Sequence, residues 1–150
     1  MYDVLLLPVA PDGESTAAIP HARSLAERYD ATVHVVCAVD TLERTEEGRR
    51  SGSFAERVEK RARKRVESVV EALEVSDIEV TGGIVHDGAV DAIENAIDAT
   101  DADLVVLSTS AKTGLRRVLL GSVTERIVRI SPVPVVTVPI EGRTVDDPDA

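Results

Sequence analysis

The sequence is poor in the residues that carry disulfide, stacking and thiol chemistry. Among its 150 residues there is one cysteine, Cys37, no tryptophan, and an aromatic content of 2%. One cysteine cannot form a disulfide within the chain, which is typical of intracellular proteins. Cys37 lies in an apolar strand pattern and is interpreted as a small buried side chain rather than a reactive thiol. The core must therefore be built from Val, Ile, Leu and Ala.

Long hydrophobic runs are missing as well. No apolar stretch approaches the roughly 18 residues that a membrane-spanning helix needs. The N-terminus opens directly into a strand pattern, without the charged and apolar regions of a signal peptide. These absences predict a cytoplasmic protein with no membrane partner.

Basic residues are outnumbered, and lysine is rare. The formal net charge is −10, and the only lysines are Lys60, Lys64 and Lys112. A surface of this sign repels the phosphates of nucleic acids and anionic membranes, so neither is predicted as a partner. The acidic, lysine-poor composition resembles proteins of salt-loving microbes. We predict a halophilic archaeal host, in whose concentrated salt the self-repulsion is screened.

The motifs of common enzymes are also absent from the sequence. There is no Walker loop, no Gly-x-Gly-x-x-Gly after the first strand pattern and no Gly-x-Ser-x-Gly elbow. The three histidines, His21, His34 and His86, show no metal-ligand spacing. Neither catalysis nor a metal site is predicted.

Strand patterns do alternate with helix patterns along the chain. Short apolar runs predict strands, and apolar residues at helical spacing predict helices between them. The strands are predicted at residues 4–9, 31–39, 78–85, 103–107 and 132–138. This order indicates an α/β fold, a doubly wound parallel sheet with helices on both faces. Residues 1–140 are predicted to form one domain, and residues 141–150 an acidic, disordered tail.

Two local features qualify the strand predictions. Pro132 and Pro134 cannot donate to a ladder, so the last strand is expected at a sheet edge or with an irregular start. Gly82 and Gly83 within the third strand predict a bulge or a close approach to another element.

The stretch "STSAKTGLRRVLLGS", residues 108–122, is the candidate binding loop. It follows a predicted strand, and doubly wound sheets bind ligands at the carboxyl ends of strands. Gly121 and Ser122 begin a helix pattern, and the N–H groups of such a start can bind an anion. The alternative is a capping box, in which Ser122 caps the helix and Glu125 reaches back and repels a phosphate. From the residues alone, the capping box is favoured.

Two segments resemble the universal stress protein family, of the UspA type. They are "LLLPV" near the start and "DLVVLSTSAKTGLRRVLLGSVTERIVRISPVPVVTV" at residues 103–138. The resemblance implies a Rossmann-like five-stranded parallel sheet with strand order 3-2-1-4-5. It also implies a homodimer, formed through the last strand with Val133, Val135, Val136 and Val138 at the interface.

Many family members bind ATP, and the resemblance places that site here. The family pattern Gly-x-x-Gly, nine residues, Gly-Ser/Thr has Ser108 and Ala111 at its first two glycines, whereas Gly121 and Ser122 are kept. Ala10 stands where ATP-binding members carry an Asp. The nucleotide-binding residues implied by the resemblance are Pro8, Val9, Ala10, Val39, Leu107, Ser108, Ala111, Gly121, Ser122, Val123 and Thr124.

Two hypotheses follow from these replacements. The favoured one is a dimerising stress-response module with a degenerate nucleotide loop and weak or no ATP binding, because three nucleotide-side residues are replaced together. The alternative is an ATP- or AMP-binding protein that uses Gly121 and Ser122 as its phosphate anchor. No cofactor other than ATP or AMP is predicted.

Overall fold

The computed structural model describes residues 1–11, 16–40, 52–109 and 121–139, with the backbone alone at 52 and 53. Strands and helices alternate through these ranges, as the sequence predicts. The elements are β1 (Val4–Val9), α1 (Ala18–Tyr29), β2 (Thr32–Ala38), α2 (Gly52–Glu74), β3 (Val80–Val85), α3 (Ala89–Thr100), β4 (Leu104–Ser108), α4 (Ser122–Ile130) and β5 (Val135–Val138).

The five strands form one parallel sheet in the order β3-β2-β1-β4-β5. This confirms the predicted fold class and the strand order implied by the family resemblance. It also places β5 at an edge, as Pro132 and Pro134 predict. The strand itself begins only at Val135, because residues 132 and 133 form a bend. Pro134 still contributes its carbonyl, which accepts the Val105 N–H at 3.0 Å.

The central strand β1 is buried on both faces of the sheet. Leu5, Leu6 and Leu7 are 0%, 0% and 1% exposed. Since side chains alternate along a strand, Leu5 and Leu7 pack with α1 and α2, whereas Leu6 packs with α3 and α4. We call the side of α1 and α2 the front face, and the side of α3 and α4 the back face.

The chain path explains this division of helices. From β1 the chain moves outward to β2 and then to β3, and right-handed crossovers put α1 and α2 on one face. It then returns across the sheet to β4, on the other side of β1, so the same handedness puts α3 and α4 on the opposite face. Because α3 must span from β3 to β4, it packs over β2 and β1.

Aspartates stabilise or terminate several strands and helices at their ends. The Asp103 carboxylate accepts the backbone N–H groups of Asp3 at 3.0 Å and Val4 at 3.3 Å, which ties the start of β4 to the start of β1. Asp30 and Asp101 end α1 and α3 in the left-handed conformation, with φ of 53° and 56°. Asp tolerates this region better than most residues with a Cβ.

The local predictions are refined by the packing. Cys37 is fully buried, in agreement with its interpretation as a core side chain. Gly82 marks a close approach rather than a bulge, since the β2–β3 register is continuous from Val80 to Val85. Residues 140–150, which contain the predicted tail, lie outside the described residues.

Gly82→Ala is expected to destabilise the fold, and Gly83→Ala is its matched control. A Cβ on Gly82 would lie 2.6 Å from Val66 Cγ1 and 2.9 Å from Val70 Cγ2, whereas a Cβ on Gly83 would meet nothing within 4 Å. Overpacking of this kind costs about 1–3 kcal/mol. Urea unfolding should show that loss for Gly82→Ala and a change of about 0.5 kcal/mol or less for Gly83→Ala. Equal effects at the two positions would contradict the packing of α2 on β3.

Candidate functional site

The ladder between β1 and β4 ends before the carboxyl end of the sheet, and we call the space between the two strand ends the β1–β4 crevice. The paired residues of these strands are Leu5 with Leu104 and Leu6 with Val105, whereas the pairing of β1 with β2 continues to Val9. The carboxyl-terminal parts of β1 and β4 therefore run side by side without a ladder between them. This is the point where the strand order reverses, which is the usual ligand site of doubly wound sheets.

The strand-end residues implied by the family resemblance lie around this crevice. Pro8 and Val9 are half-buried at the end of β1, and Ala10 follows them as an exposed residue. Leu107 is buried at the end of β4, and Val39 is buried just after β2. Because Leu107 packs in the back-face core and Val39 in the front-face core, the region presents the half-buried Pro8 and Val9 and the backbone groups of the strand ends.

Thr109 adds a polar group that the sequence analysis did not single out. It is 3% exposed, and its N–H donates to the Val138 carbonyl at 2.8 Å. Its Oγ1 is buried and has no hydrogen-bond partner among the described residues. A buried polar atom left without a partner costs about 1–3 kcal/mol. The hydroxyl lies directly after the end of β4, at the entrance to the candidate loop, where a ligand can satisfy it.

Among the described residues, no side chain caps the start of helix α4. Its N-cap is Gly121, with φ −65° and ψ 161°, and no side chain hydrogen-bonds to the first-turn N–H groups among the described residues. Ser122 is the first helical residue and is exposed. The capping box is therefore wrong, because a Ser at this position is already in helical conformation and one place too late to act as the cap.

Glu125 makes a different contact from the one that the capping box requires. Its Oε1 accepts a hydrogen bond from Arg129 Nη2 at 2.9 Å, one turn further along α4. The carboxylate is thus paired with Arg129 rather than with the Ser122 N–H, and the guanidinium offsets part of its charge. The N–H groups of Ser122, Val123 and Thr124 stand at the positive end of the helix dipole, an arrangement that favours anions.

The side chains of this first turn are divided between core and solvent. Thr124 is 5% exposed, and Val123 packs against the back-face core. Ser108, at the end of β4, is half-buried. Ala111 and the rest of residues 110–120 lie outside the described residues.

The carboxyl ends of β2 and β3 carry negative charge, in contrast to the positive dipole end at the start of α4. Asp40 Oδ2 lies 3.7 Å from the place that a Cβ on Gly88, the N-cap of α3, would occupy. Asp87 Oδ1 accepts the Gly88 N–H at 2.9 Å. Carboxylates thus surround the start of α3, which leaves the start of α4 as the better place for an anion. Within the described ranges no group of three or more His, Cys, Asp or Glu is arranged to hold a metal ion.

The valines predicted at the dimer interface are largely used within the chain. Val138 is 4% exposed and belongs to the front-face core, against which Val136 also packs. Val133 and Val135 pack against the back-face core. What β5 presents outward is chiefly its backbone edge, since no described strand pairs with its outer side.

Comparison with known proteins identifies the family. Residues 1–139 match the sequence profile of the Universal stress protein family. The chain is also 27% identical over 141 residues to a universal stress protein of Methanocaldococcus jannaschii, which covers 92% of this chain and 82% of the relative. The chain therefore belongs to the universal stress protein family, as the sequence resemblance predicts.

Solved structures of low sequence identity share the fold. The universal stress protein of Archaeoglobus fulgidus in complex with dAMP superposes with a TM-score of 0.68 at 19% identity, covering 91% of this chain and 98% of the other. A family member of Arabidopsis thaliana with AMP bound gives a TM-score of 0.64 at 16% identity, with 98% of each chain covered. Within the described residues no helix is long and apolar enough to cross a membrane.

Ser122→Ala should leave stability nearly unchanged, because Ser122 does not cap α4. Loss of a true Ser cap costs about 1 kcal/mol. The matched control is Ser131→Ala, since Ser131 Oγ donates to the Val133 carbonyl at 2.7 Å and accepts the Val133 N–H at 3.1 Å. Urea unfolding should show a loss of about 1 kcal/mol for Ser131→Ala only. A comparable loss of unfolding free energy in Ser122→Ala would show that Ser122 does cap α4.

Proposed function

We propose that this protein is a cytoplasmic, non-enzymatic universal stress protein that binds an adenine nucleotide weakly in the β1–β4 crevice. The observation that carries the proposal is the combination of an uncapped α4 start with the unpartnered, buried Oγ1 of Thr109 at the end of β4. Both features leave hydrogen-bonding groups of one small region unused by the described residues.

The polarity of the sheet end orients the ligand. The phosphate lies at the start of α4, where the N–H groups of Ser122 to Thr124 and the helix dipole favour an anion. Neighbouring strands are about 4.8 Å apart, so a nucleoside extending from this anchor passes β1 and reaches β2. There Pro8 and Val9 offer apolar contacts to the sugar and base, and the buried Val39 offers its backbone. Related proteins with bound AMP and dAMP support the choice of an adenine nucleotide.

The replaced residues limit the affinity. Ser108 and Ala111 stand where the family pattern has glycine, which permits a close approach of the backbone to a phosphate that a Cβ hinders. Ala10 removes a carboxylate that holds the nucleoside in ATP-binding members. At about 1.4 kcal/mol per tenfold change, a combined loss of about 4 kcal/mol turns a micromolar site into one near the millimolar range. The same replacements favour the second candidate function, a dimerising stress module without a nucleotide.

The homodimer forms through β5. The carbonyls of Pro134 and Val138 face β4, where they accept the N–H groups of Val105 and Thr109. Since a strand's backbone groups alternate in direction, Val135 and Thr137 direct theirs outward, toward a second copy. An unpaired edge of this kind is a template for strand pairing.

Millimolar AMP is expected to raise the melting temperature, and Thr109→Val is expected to reduce that rise. For a dissociation constant near 1 mM, 10 mM AMP stabilises the folded state by about 1.4 kcal/mol, or about 3–5 °C for a chain of this size. Thr109→Val keeps the shape and removes the buried hydroxyl, so the free protein should be no less stable than wild type.

Thr137→Val, on exposed β5, is the control substitution and should retain the full AMP shift. The measurement is scanning fluorimetry with an added dye, with ATP and inosine monophosphate as further ligands. If 10 mM AMP leaves the wild-type melting temperature unchanged, nucleotide binding is refuted and the dimer module remains. If AMP raises the melting temperature of Thr109→Val as much as that of wild type, the Thr109 hydroxyl does not contact the nucleotide.

Thr137→Pro should convert the dimer into a monomer, because proline removes an outward-facing N–H from the β5 edge while the bonds to β4 remain. Thr137→Val keeps this N–H and should remain dimeric. Sedimentation velocity at high salt separates the two states. A monomeric wild type, or a dimeric Thr137→Pro protein, would exclude pairing through β5.

A further inference from the structure

The back face of the sheet has a groove that no described element covers. It has a volume of about 310 Å³ and lies between α3 and the β2–β3 side of the sheet. Its origin is the crossover path, since α3 leaves β3 to reach β4 and therefore packs over β2 and β1. On the front face α2 packs directly on β3, so the two faces of this strand are covered unequally.

Small residues make the groove deep, and its surface is mostly apolar. Gly83 forms part of the floor, and a Cβ placed there would meet nothing within 4 Å. The α3 wall contains Ala92, Ala96 and Ala99. His34 Nδ1 and Thr81 Oγ1 hydrogen-bond to each other at the floor. Polar groups on the floor are thus partly satisfied internally, and the remaining surface suits an apolar side chain.

The groove runs beside an unpaired strand edge. β3 pairs with β2 alone among the described strands. The Glu79 carbonyl accepts the N–H of Val33 in β2, and the Val85 carbonyl accepts the N–H of Val39, directly after β2. By alternation, Val80, Gly82 and Ile84 direct their backbone groups outward. The segment "VTGGIV" contains no charge and no proline, and so lacks the features that usually block pairing at an edge.

The acidic charge of the chain is concentrated in the sequence segment that contains β3 and α3. Between Arg65 and Lys112 the sequence has eleven acidic residues and no Lys or Arg, whereas the chain as a whole has a net charge of −10. The rest of the chain is thus close to neutral. Exposed acids stand on both sides of the groove: Asp77 and Glu79 precede β3, and Asp91, Glu94 and Asp98 lie on α3.

We propose that the β3 edge and its groove bind an extended, basic segment of a partner protein by strand addition. The partner's backbone pairs with Val80, Gly82 and Ile84, an apolar side chain enters the groove over Gly83, and Lys or Arg side chains meet the acids of α3. Main-chain pairing supplies affinity and the pocket supplies selectivity, as in other strand-addition complexes. The acidic surroundings favour a positively charged partner segment and accelerate its association.

The test uses a ten-residue peptide in which a central valine and the arginines two residues before and after it share one face of the strand, with threonine at the intervening positions. The peptide is labelled at its N-terminus, and binding is measured by fluorescence anisotropy at 0.1 M NaCl. A peptide with glutamate in place of arginine is the charge control. A third peptide carries N-methyl groups on alternate amides, which keeps charge and apolar surface but blocks strand pairing. Wild type should bind the arginine peptide at least tenfold more tightly than it binds either control peptide.

Two variants test the location of the binding site. Gly83→Leu fills the groove and should weaken binding at least tenfold, with a circular dichroism spectrum like that of wild type. The double variant Glu94→Gln, Asp98→Asn should weaken binding about threefold or more and reduce its dependence on salt. Amide shifts in NMR spectra should map to β3 and α3.

Each of the following results would overturn the proposal. Equal binding of the N-methylated peptide would show attraction by charge without strand pairing. Unchanged binding by Gly83→Leu, or amide shifts on α2, would place the peptide elsewhere. A wild-type dimer that Gly83→Leu dissociates would show that a second copy of this chain occupies the groove.

Discussion

The central strand β1 is the constraint on which the rest of the structure depends. It is paired on both sides and buried on both faces, so the chain must leave it toward β2 and later return to its other side as β4. With right-handed crossovers, this path fixes which helices lie on which face. It also fixes where neighbouring loops diverge, and therefore where the sheet opens. The β1–β4 crevice therefore follows from the chain topology and does not depend on particular side chains.

The same path produces the second opening. Helix α3 has to cross from β3 to β4, so it covers the middle of the back face and leaves β3 open there. The two openings differ in electrostatics. One faces the start of α4, which favours anions, whereas the other has exposed acids on α3 and just before β3. A single chain trace thus provides two sites suited to ligands of opposite charge.

Much of the fold could be predicted from the sequence, because runs such as Val4–Val9 are apolar on both faces and so indicate a buried parallel strand. The strand order was implied by the family resemblance, since periodicity contains no information on neighbours. The site was predicted less well. The Ser122-x-x-Glu125 spacing fits a capping box only if Ser122 is the N-cap, and Gly121 takes that place instead. The groove was missed because it depends on which strands α3 fails to cover.

The parts of the nucleotide site differ in how much they depend on side chains. Anion binding at α4 uses backbone N–H groups, and any non-proline residues at Ser122 to Thr124 supply them. The open crevice likewise depends on the divergence of β1 and β4. The loop glycines and the first-loop Asp act through conformational freedom and through a carboxylate, so single substitutions such as Ala10 remove their contribution. We therefore expect the replacements in this chain to weaken the contacts to a nucleotide without closing the place where the proposed function puts it.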